Sequence, residues 1–448
     1  MKQKTYIIIF LLLTAGMAAR AQSGDSLNYS FSLKQAVDYA LVHQAAVLNA
    51  AVDEEIAKNT VKHTLGIGLP QVSTSFNFQD YLKLPTTLLP GELAGQPAGT
   101  LIPLKFGTKY NSTGAIELKQ LIFDGSYLVG LQASKTYKEL SVRNSRRTRI
   151  ETAVAVTKAY YSVLVSNEQL ILIDANLGQL NKTLHDTEAM FKNGFSEKID
   201  VDRLQVLKNN LETERENVTR LLTVNIDMLK FQMGMSIEAS LSLTDKISNV
   251  RTEAAVAVTD TAVYKRRVEY SLLETQKKLN ELDLKRQKSF FLPTLSGFAS
   301  ASKNFQSNEL SNLYDLSYPT SVIGLTLSWN IISGGQRIYQ VRNAKLAVKK
   351  TENDLLNLRN GISMEVSTGQ KLYSNALRSV ENQERNLKLA QEILRVARIK
   401  YEQGVGSSLE VTTAETSQKE AQNNYIRALY DLLINKVDLD QATGNINY

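Results

Sequence analysis

Few side chains in this chain could do chemistry, and their spacing argues against a catalytic centre. Histidine occurs three times, as His43, His63 and His185, and cysteine not at all. No His, Asp and Glu combination has ligand spacing, no glycine-rich phosphate loop follows a strand, and no acidic pair suggests proton transfer. The missing cysteine also removes disulfides, thiol nucleophiles and an acylated N-terminus. The expectation is a protein that is no enzyme, with no cofactor and no metal. What remains is a set of acids after two glycine turns. Glu197 and Asp200 follow Asn193-Gly194-Phe195-Ser196, and Glu410 follows Gly404-Val405-Gly406. Acids suit the positive end of a helix, so plain helix starts would explain all three. The glycines fit tight reversals that need positive φ. Phe195 and Val405 are apolar where a helical tip should be exposed, which fits either a socket for a partner or packing within the tip.

The elements that must carry these turns form two copies of one design. In the first, Leu69-Pro70 opens an alternating strand and Ile116–Gly125 closes another, before a long proline-free run to the Gly194 turn. In the second, Leu292-Pro293 opens the strand, Leu325–Gly334 closes its partner, and the run ends at the Gly404 turn. Gly125 and Gly334 lie 209 positions apart, Gly194 and Gly404 210. The repeats are expected at 22–262 and 263–448, with helical tips near 191–200 and 401–410.

All seven prolines fall outside the runs 126–290 and 335–448, as continuous helices require, and four of them, Pro85, Pro90, Pro97 and Pro103, lie in one expected loop, 82–112. Leu170, Ile173, Leu177, Leu180, Leu184, Thr187 and Phe191 alternate steps of three and four, the spacing of a coiled-coil seam. Val380, Gln383, Leu387, Ala390, Leu394, Ala397 and Tyr401 repeat it. Leu204, Leu207, Leu211, Val218 and Leu221 return the seam after the first turn, with polar Glu214 interrupting it. A second stripe, Leu389, Ile393 and Val396, gives its helix two neighbours. A closed helical barrel and an ordinary bundle both meet that need. The first long helix, from about Ser126 to Phe191, would be roughly 100 Å long at about 1.5 Å per residue. Its return path is expected as two shorter helices ending near Met235 and Ser289, and 408–443 with 33–66 serve the second copy.

Strands are expected at about 70–82, 113–123, 293–304 and 320–332, each with one apolar and one polar face. Such alternation over about ten residues suits a membrane barrel with a wet lumen, and also a small soluble sheet with one buried face. Tyr81, Tyr110, Tyr314, Tyr318 and Trp329 near strand ends favour the membrane, since aromatic rings settle at its interfaces. Four strands cannot close a barrel, and an open edge cannot face lipid, so the chain must oligomerise. Residues 1–21 read as a signal peptide: Lys2 and Lys4 precede an apolar run at 6–13, too short to span a bilayer, and Ala19-Arg20-Ala21 offers a cleavage site. The formal charge of +7 falls to about +4 without Lys2, Lys4 and Arg20, too mild to argue for nucleic acid.

The duplicated Leu-Pro openings, the Ile-Phe-Asp-Gly and Ile-Ser-Gly-Gly strand ends, the paired glycine turns and Phe31–Val37 together resemble the TolC-like outer-membrane efflux protein family. The resemblance covers essentially the whole mature chain. It implies a mainly α fold with a membrane β-barrel. Coiled-coil hairpins would form an α-barrel, and four strands per chain would contribute to a 12-stranded barrel in a homotrimer. It implies an exit duct set in outer-membrane lipid, reaching across the periplasm, and docked at its tips to a periplasmic adaptor (a membrane fusion protein) and an inner-membrane pump. By position, Tyr401 and Asp200 match a tyrosine and an aspartate hydrogen-bonded in the closed gate, and Glu410 the first of two acids ringing the aperture. A ring of Glu410 would favour cations. Thr413 replaces the second acid and Gly406 a gating arginine, which thins the expected lock. An exported coiled-coil scaffold or adaptor without a membrane barrel is the alternative.

Overall fold

The computed structural model describes residues 28–247, 262–446 and 448. The expected signal peptide, and the stretch 248–261 that precedes the second copy, lie outside the described residues. The first half contains strand β1 (Asn28–Phe31), helices α1 (Leu33–His43) and α2 (Ala45–Ile67), and strands β2 (Gln71–Asp80), β3 (Thr86–Pro90), β4 (Leu101–Lys105) and β5 (Tyr110–Phe123). Helices α3 (Gly125–Lys192) and α4 (Lys198–Met233) follow, then strand β6 (Ser240–Leu243). The second half runs α5 (Val268–Ser289), β7 (Thr294–Ser307), β8 (Ser317–Ser328), α6 (Gln336–Glu402) and α7 (Ser408–Ala442). The proline-free runs become unbroken helices of 68 residues in α3 and 67 in α6. Among the described residues no helix is long and apolar enough to cross a membrane.

The chain divides into two compact units, each drawing on both expected repeats. One unit comprises residues 52–144 and 269–358. It holds an antiparallel sheet in the order β2-β5-β7-β8, with β2 and β8 as free edges. Helices join all four strands at the Gln71, Phe123, Thr294 and Ser328 end, and connecting segments join them at the other. Strand register puts Val72, Leu118, Ala299 and Ile323 in one row across the sheet. The neighbouring row on the same face is Thr74, Ile116, Ala301 and Ser321. The opposite face carries Phe298, whose ring occupies the space a side chain at Gly324 would need. Two sequence expectations change here. The strand expected over 320–332 ends at Ser328, leaving Trp329 just past it. The segment 82–112, read as a loop, contains the β3–β4 hairpin, with Pro90 opposite Leu101 and Leu88 opposite Pro103. Proline is tolerated there because a two-stranded ladder has outward positions that need no N–H.

The other unit comprises residues 1–51, described from 28, with 145–268 and 359–448. Its coiled-coil seam is built as the spacing requires. Ile173, Leu177, Leu180 and Leu184 of α3 pack on Leu204, Leu211 and Val218 of α4. Leu394 and Ala397 of α6 meet Val411 and Ala414 of α7. Phe191 and Leu221, expected in the seam, are instead exposed. A straight helix drifts about 20° per heptad against a 3.5 repeat, so a stripe leaves the contact after a few turns. A further core joins Tyr160 of α3, Leu229 and Met233 of α4, and Val37 of α1. Here β1 pairs in parallel with β6. The α1 helix opens on a capping box in which Ser32 and Gln35 satisfy each other's backbone N–H groups. Gly234 ends α4 at φ 70°, and a Cβ there would lie 2.6 Å from the His43 carbonyl oxygen.

Candidate functional site at the helical tips

The α3–α4 and α6–α7 turns share one construction. Gly194 and Gly404 take φ of 78° and 72°, and each donates its N–H to the carbonyl three residues back, on Phe191 and Tyr401. Gly406 does not have positive φ, contrary to the expectation from sequence. Its need for glycine is steric, because a Cβ would lie 2.8 Å from Lys400 Cβ and 3.0 Å from Tyr401 N. An arginine at this position would have to displace the turn itself.

Both turns line a cavity of about 820 Å³, bordered by Phe195, Asp200, Arg203, Tyr401, Gly404 and Leu409. The structure brings Asp200 and Tyr401 to this one cavity but pairs each elsewhere. The Asp200 carboxylate accepts hydrogen bonds from Ser196 Oγ at 3.0 Å and the Glu197 N–H at 3.3 Å, and Arg203 stands 3.6 Å away. Asp200 thus stabilises the N-terminus of its own helix. The Tyr401 hydroxyl donates to Thr187 Oγ1 at 3.3 Å, and Thr187 is fully buried. Tyr401 therefore ties α6 to α3. Glu410 is exposed in the first turn of α7, where its N–H donates to the Ser407 cap at 3.2 Å. Phe195 and Val405 are 84% and 76% exposed, so neither packs into the tip core. Thr413 is exposed one turn beyond Glu410.

Above the tips lies a set of polar contacts that the sequence did not reveal. Arg398 of α6 and Glu415 of α7 form an ion pair at 3.0 Å beside a cavity of about 310 Å³. Burial pushes the Glu415 carboxyl above its ordinary range, and Arg398 offsets that only in part. Glu214, the polar break in the α4 stripe, pairs with Lys419 of α7, and Asn176 of α3 donates to Gln422 of α7 at 2.6 Å. The interruption at Glu214 was the one visible signal; its partner lies 205 positions away on another helix. Trp329 belongs to the sheet-bearing unit. It is exposed, and its indole N–H donates to the Phe291 carbonyl at 3.1 Å, beside the Arg337 guanidinium over the Phe291 ring.

Comparison with known proteins adds a family likeness. Residues 273–445 match the outer membrane efflux protein family. A structure of CusC, described for transmembrane channel formation, superposes with a TM-score of 0.76 at 16% identity, over 92% of both chains. The chain is similar to TolC-like outer membrane efflux proteins. Among curated relatives, the alkaline protease secretion protein AprF of Pseudomonas aeruginosa is 22% identical over 71% of this chain and 66% of its own length. Outer membrane protein TolC of Salmonella enteritidis is 22% identical over 76% of this chain and 71% of its own. These likenesses to an outer membrane protein and to a transmembrane channel support an outer-membrane exit channel with a periplasmic portion.

Proposed function

We propose that three copies of this chain assemble into a gated, passive exit duct of a tripartite efflux or type I secretion system. The observation that carries this reading is the open sheet. Among the described residues its edges β2 and β8 are unpaired, while one face presents Val72, Phe76, Ile116, Ile323, Leu325 and Leu327 to the surroundings. Unpaired backbone groups cannot remain in lipid, so β8 of one copy must pair with β2 of the next. Three copies supply twelve strands, as the family resemblance implies. The helical stripe Leu389, Ile393 and Val396 is exposed in the single chain and supports the same assembly. The Gln71 and Ser328 end of the sheet then faces the periplasm, and the segments 81–109 and 308–316 face outside.

At the tips, Phe195 and Val405, held out by Gly194, Gly404 and Gly406, receive the periplasmic adaptor that links the duct to an inner-membrane pump. Glu410 lines the aperture, and Tyr401 and Asp200 belong to the gate. A ring of carboxylates in a narrow aqueous bore favours cations. The test is single-channel conductance of the detergent-extracted protein, with its mass measured in parallel. A trimer with a small cation-selective conductance, less selective in Glu410→Gln, is expected. A protein soluble without detergent and electrically silent would overturn the reading in favour of a scaffold.

A further inference from the structure

The lipid-facing side of the sheet is not a uniform apolar surface. Between the ridges formed by Ile116 and Leu118 on β5 and by Ile323 on β8 runs a trough of about 440 Å³ whose floor is Ala299 and Ala301 of β7. Alternation along β7 puts Lys303 on the same face, one position further toward the outer end, opposite Gly114 on one side and Pro319 on the other. Neither neighbour has a side chain that could cover the ammonium, and Lys303 is exposed. Just beyond it, Phe78, Tyr110, Phe305 and Tyr314 gather at the outer rim, with Phe78 stacked on Tyr110 and Phe305 edge-on to Tyr314. Aromatic rings of this kind mark the membrane interface. The lysine therefore stands at headgroup depth, and the trough descends from it into the hydrocarbon.

We propose that each protomer holds one anionic, phosphate-bearing membrane lipid here, a single acyl chain lying in the Ala299–Ala301 trough and the headgroup phosphate on Lys303. This rests on the placing of the sheet in the outer membrane. The occupant follows from the two ends of the site. A void floored by alanine, walled by Ile116 and Leu118 on one side and by Ile323 and Ser321 on the other, forfeits dispersion contacts unless a slender apolar chain fills it. The positive charge at its mouth selects a chain that carries a negative head. The trough lies wholly within β5, β7 and β8 of one chain, so closure of the barrel through the outer edges of β2 and β8 leaves it open.

Native mass spectrometry of the delipidated full-length oligomer, titrated with phosphatidylglycerol or phosphatidylcholine of matched acyl chains, tests this. Phosphatidylglycerol is expected to bind several-fold tighter, to about one per protomer. Lys303→Gln should abolish that preference, a loss of about fivefold from one interfacial lysine, while keeping the weaker phosphatidylcholine adduct. Ala299→Leu with Ala301→Leu, which fills the floor, should weaken both lipids. Equal affinity for the two lipids, or a preference that survives Lys303→Gln, would overturn the proposal, as would retention of both adducts with the trough filled. Conductance of each variant separates this failure from that of the channel reading, because a protein that conducts but shows no lipid preference loses only the lipid site.

Discussion

At the residue scale, Glu415 and Gly406 have roles that their types alone do not disclose. Burial raises the Glu415 carboxyl above its ordinary value despite Arg398 at 3.0 Å. The folded chain therefore holds that proton more tightly than the unfolded chain. By linkage, its contribution favours folding below the unfolded value and is lost as pH rises through the raised one. Hydrogen exchange in the α6–α7 hairpin should show protection falling as pH rises through that window. Glu415→Gln should flatten the slope; an unchanged slope would mean another group governs it. Gly406→Arg restores the residue type that the family resemblance implies, yet a Cβ has only 2.8 Å to Lys400 Cβ. Overpacking of this kind costs about 1–3 kcal/mol. A lowered melting temperature is the expected result, and Gly406→Ala should show most of it.

At the element scale, the helices are held by short apolar stripes interrupted by buried polar ties. Leu204 is 1% exposed in the α3–α4 seam, and its truncation to alanine should cost about 2–5 kcal/mol, measured by chemical denaturation. The junction of β1, α1 and α3 depends on Tyr160. Its hydroxyl is 3.1 Å from the Phe31 carbonyl and 2.8 Å from the Asp245 carboxylate, which also accepts the Leu33 N–H at 2.8 Å. Burial and the neighbouring carboxylate push the Tyr160 phenol well up, so it stays a donor at every working pH. Tyr160→Phe leaves acceptors short of a partner at a cost of about 1–3 kcal/mol. Faster amide exchange in the β1–β6 pair is expected, with the α3–α4 seam near the tip unaffected.

At the scale of the whole molecule, the proposed channel commits one sheet face to lipid and the other to the lumen. Ile323 is 86% exposed on the lipid row, whereas Val322 projects to the opposite face. A lysine at mid-bilayer on the lipid face costs about 2–4 kcal/mol, while a lumen position tolerates charge. Ile323→Lys should reduce the yield of oligomer recovered from membranes, and Val322→Lys should leave it near the native level. Equal yields from the two variants would argue that the sheet does not meet lipid.

Much of this architecture follows from local rules, and those are legible in the residues. The absence of proline from 126–290 permits unbroken helices. The three-four spacing from Leu170 to Leu184 marks a seam, and alternation around Val72 and Leu325 marks two-faced strands. Each depends on neighbours a few positions away, so chain order alone carries the information. The tertiary structure decided what depends on distant partners. It pairs Glu214 with Lys419 and Arg398 with Glu415, ties Tyr401 to Thr187 rather than Asp200, and makes Gly406 a steric requirement instead of a conformational one. It also aligned Lys303 with the alanines of β7 beneath an aromatic rim drawn from four separate stretches of chain. Periodicity places a side chain on a face, but which side chain stands opposite is set by register and helix rotation, and those arise only when the whole chain packs.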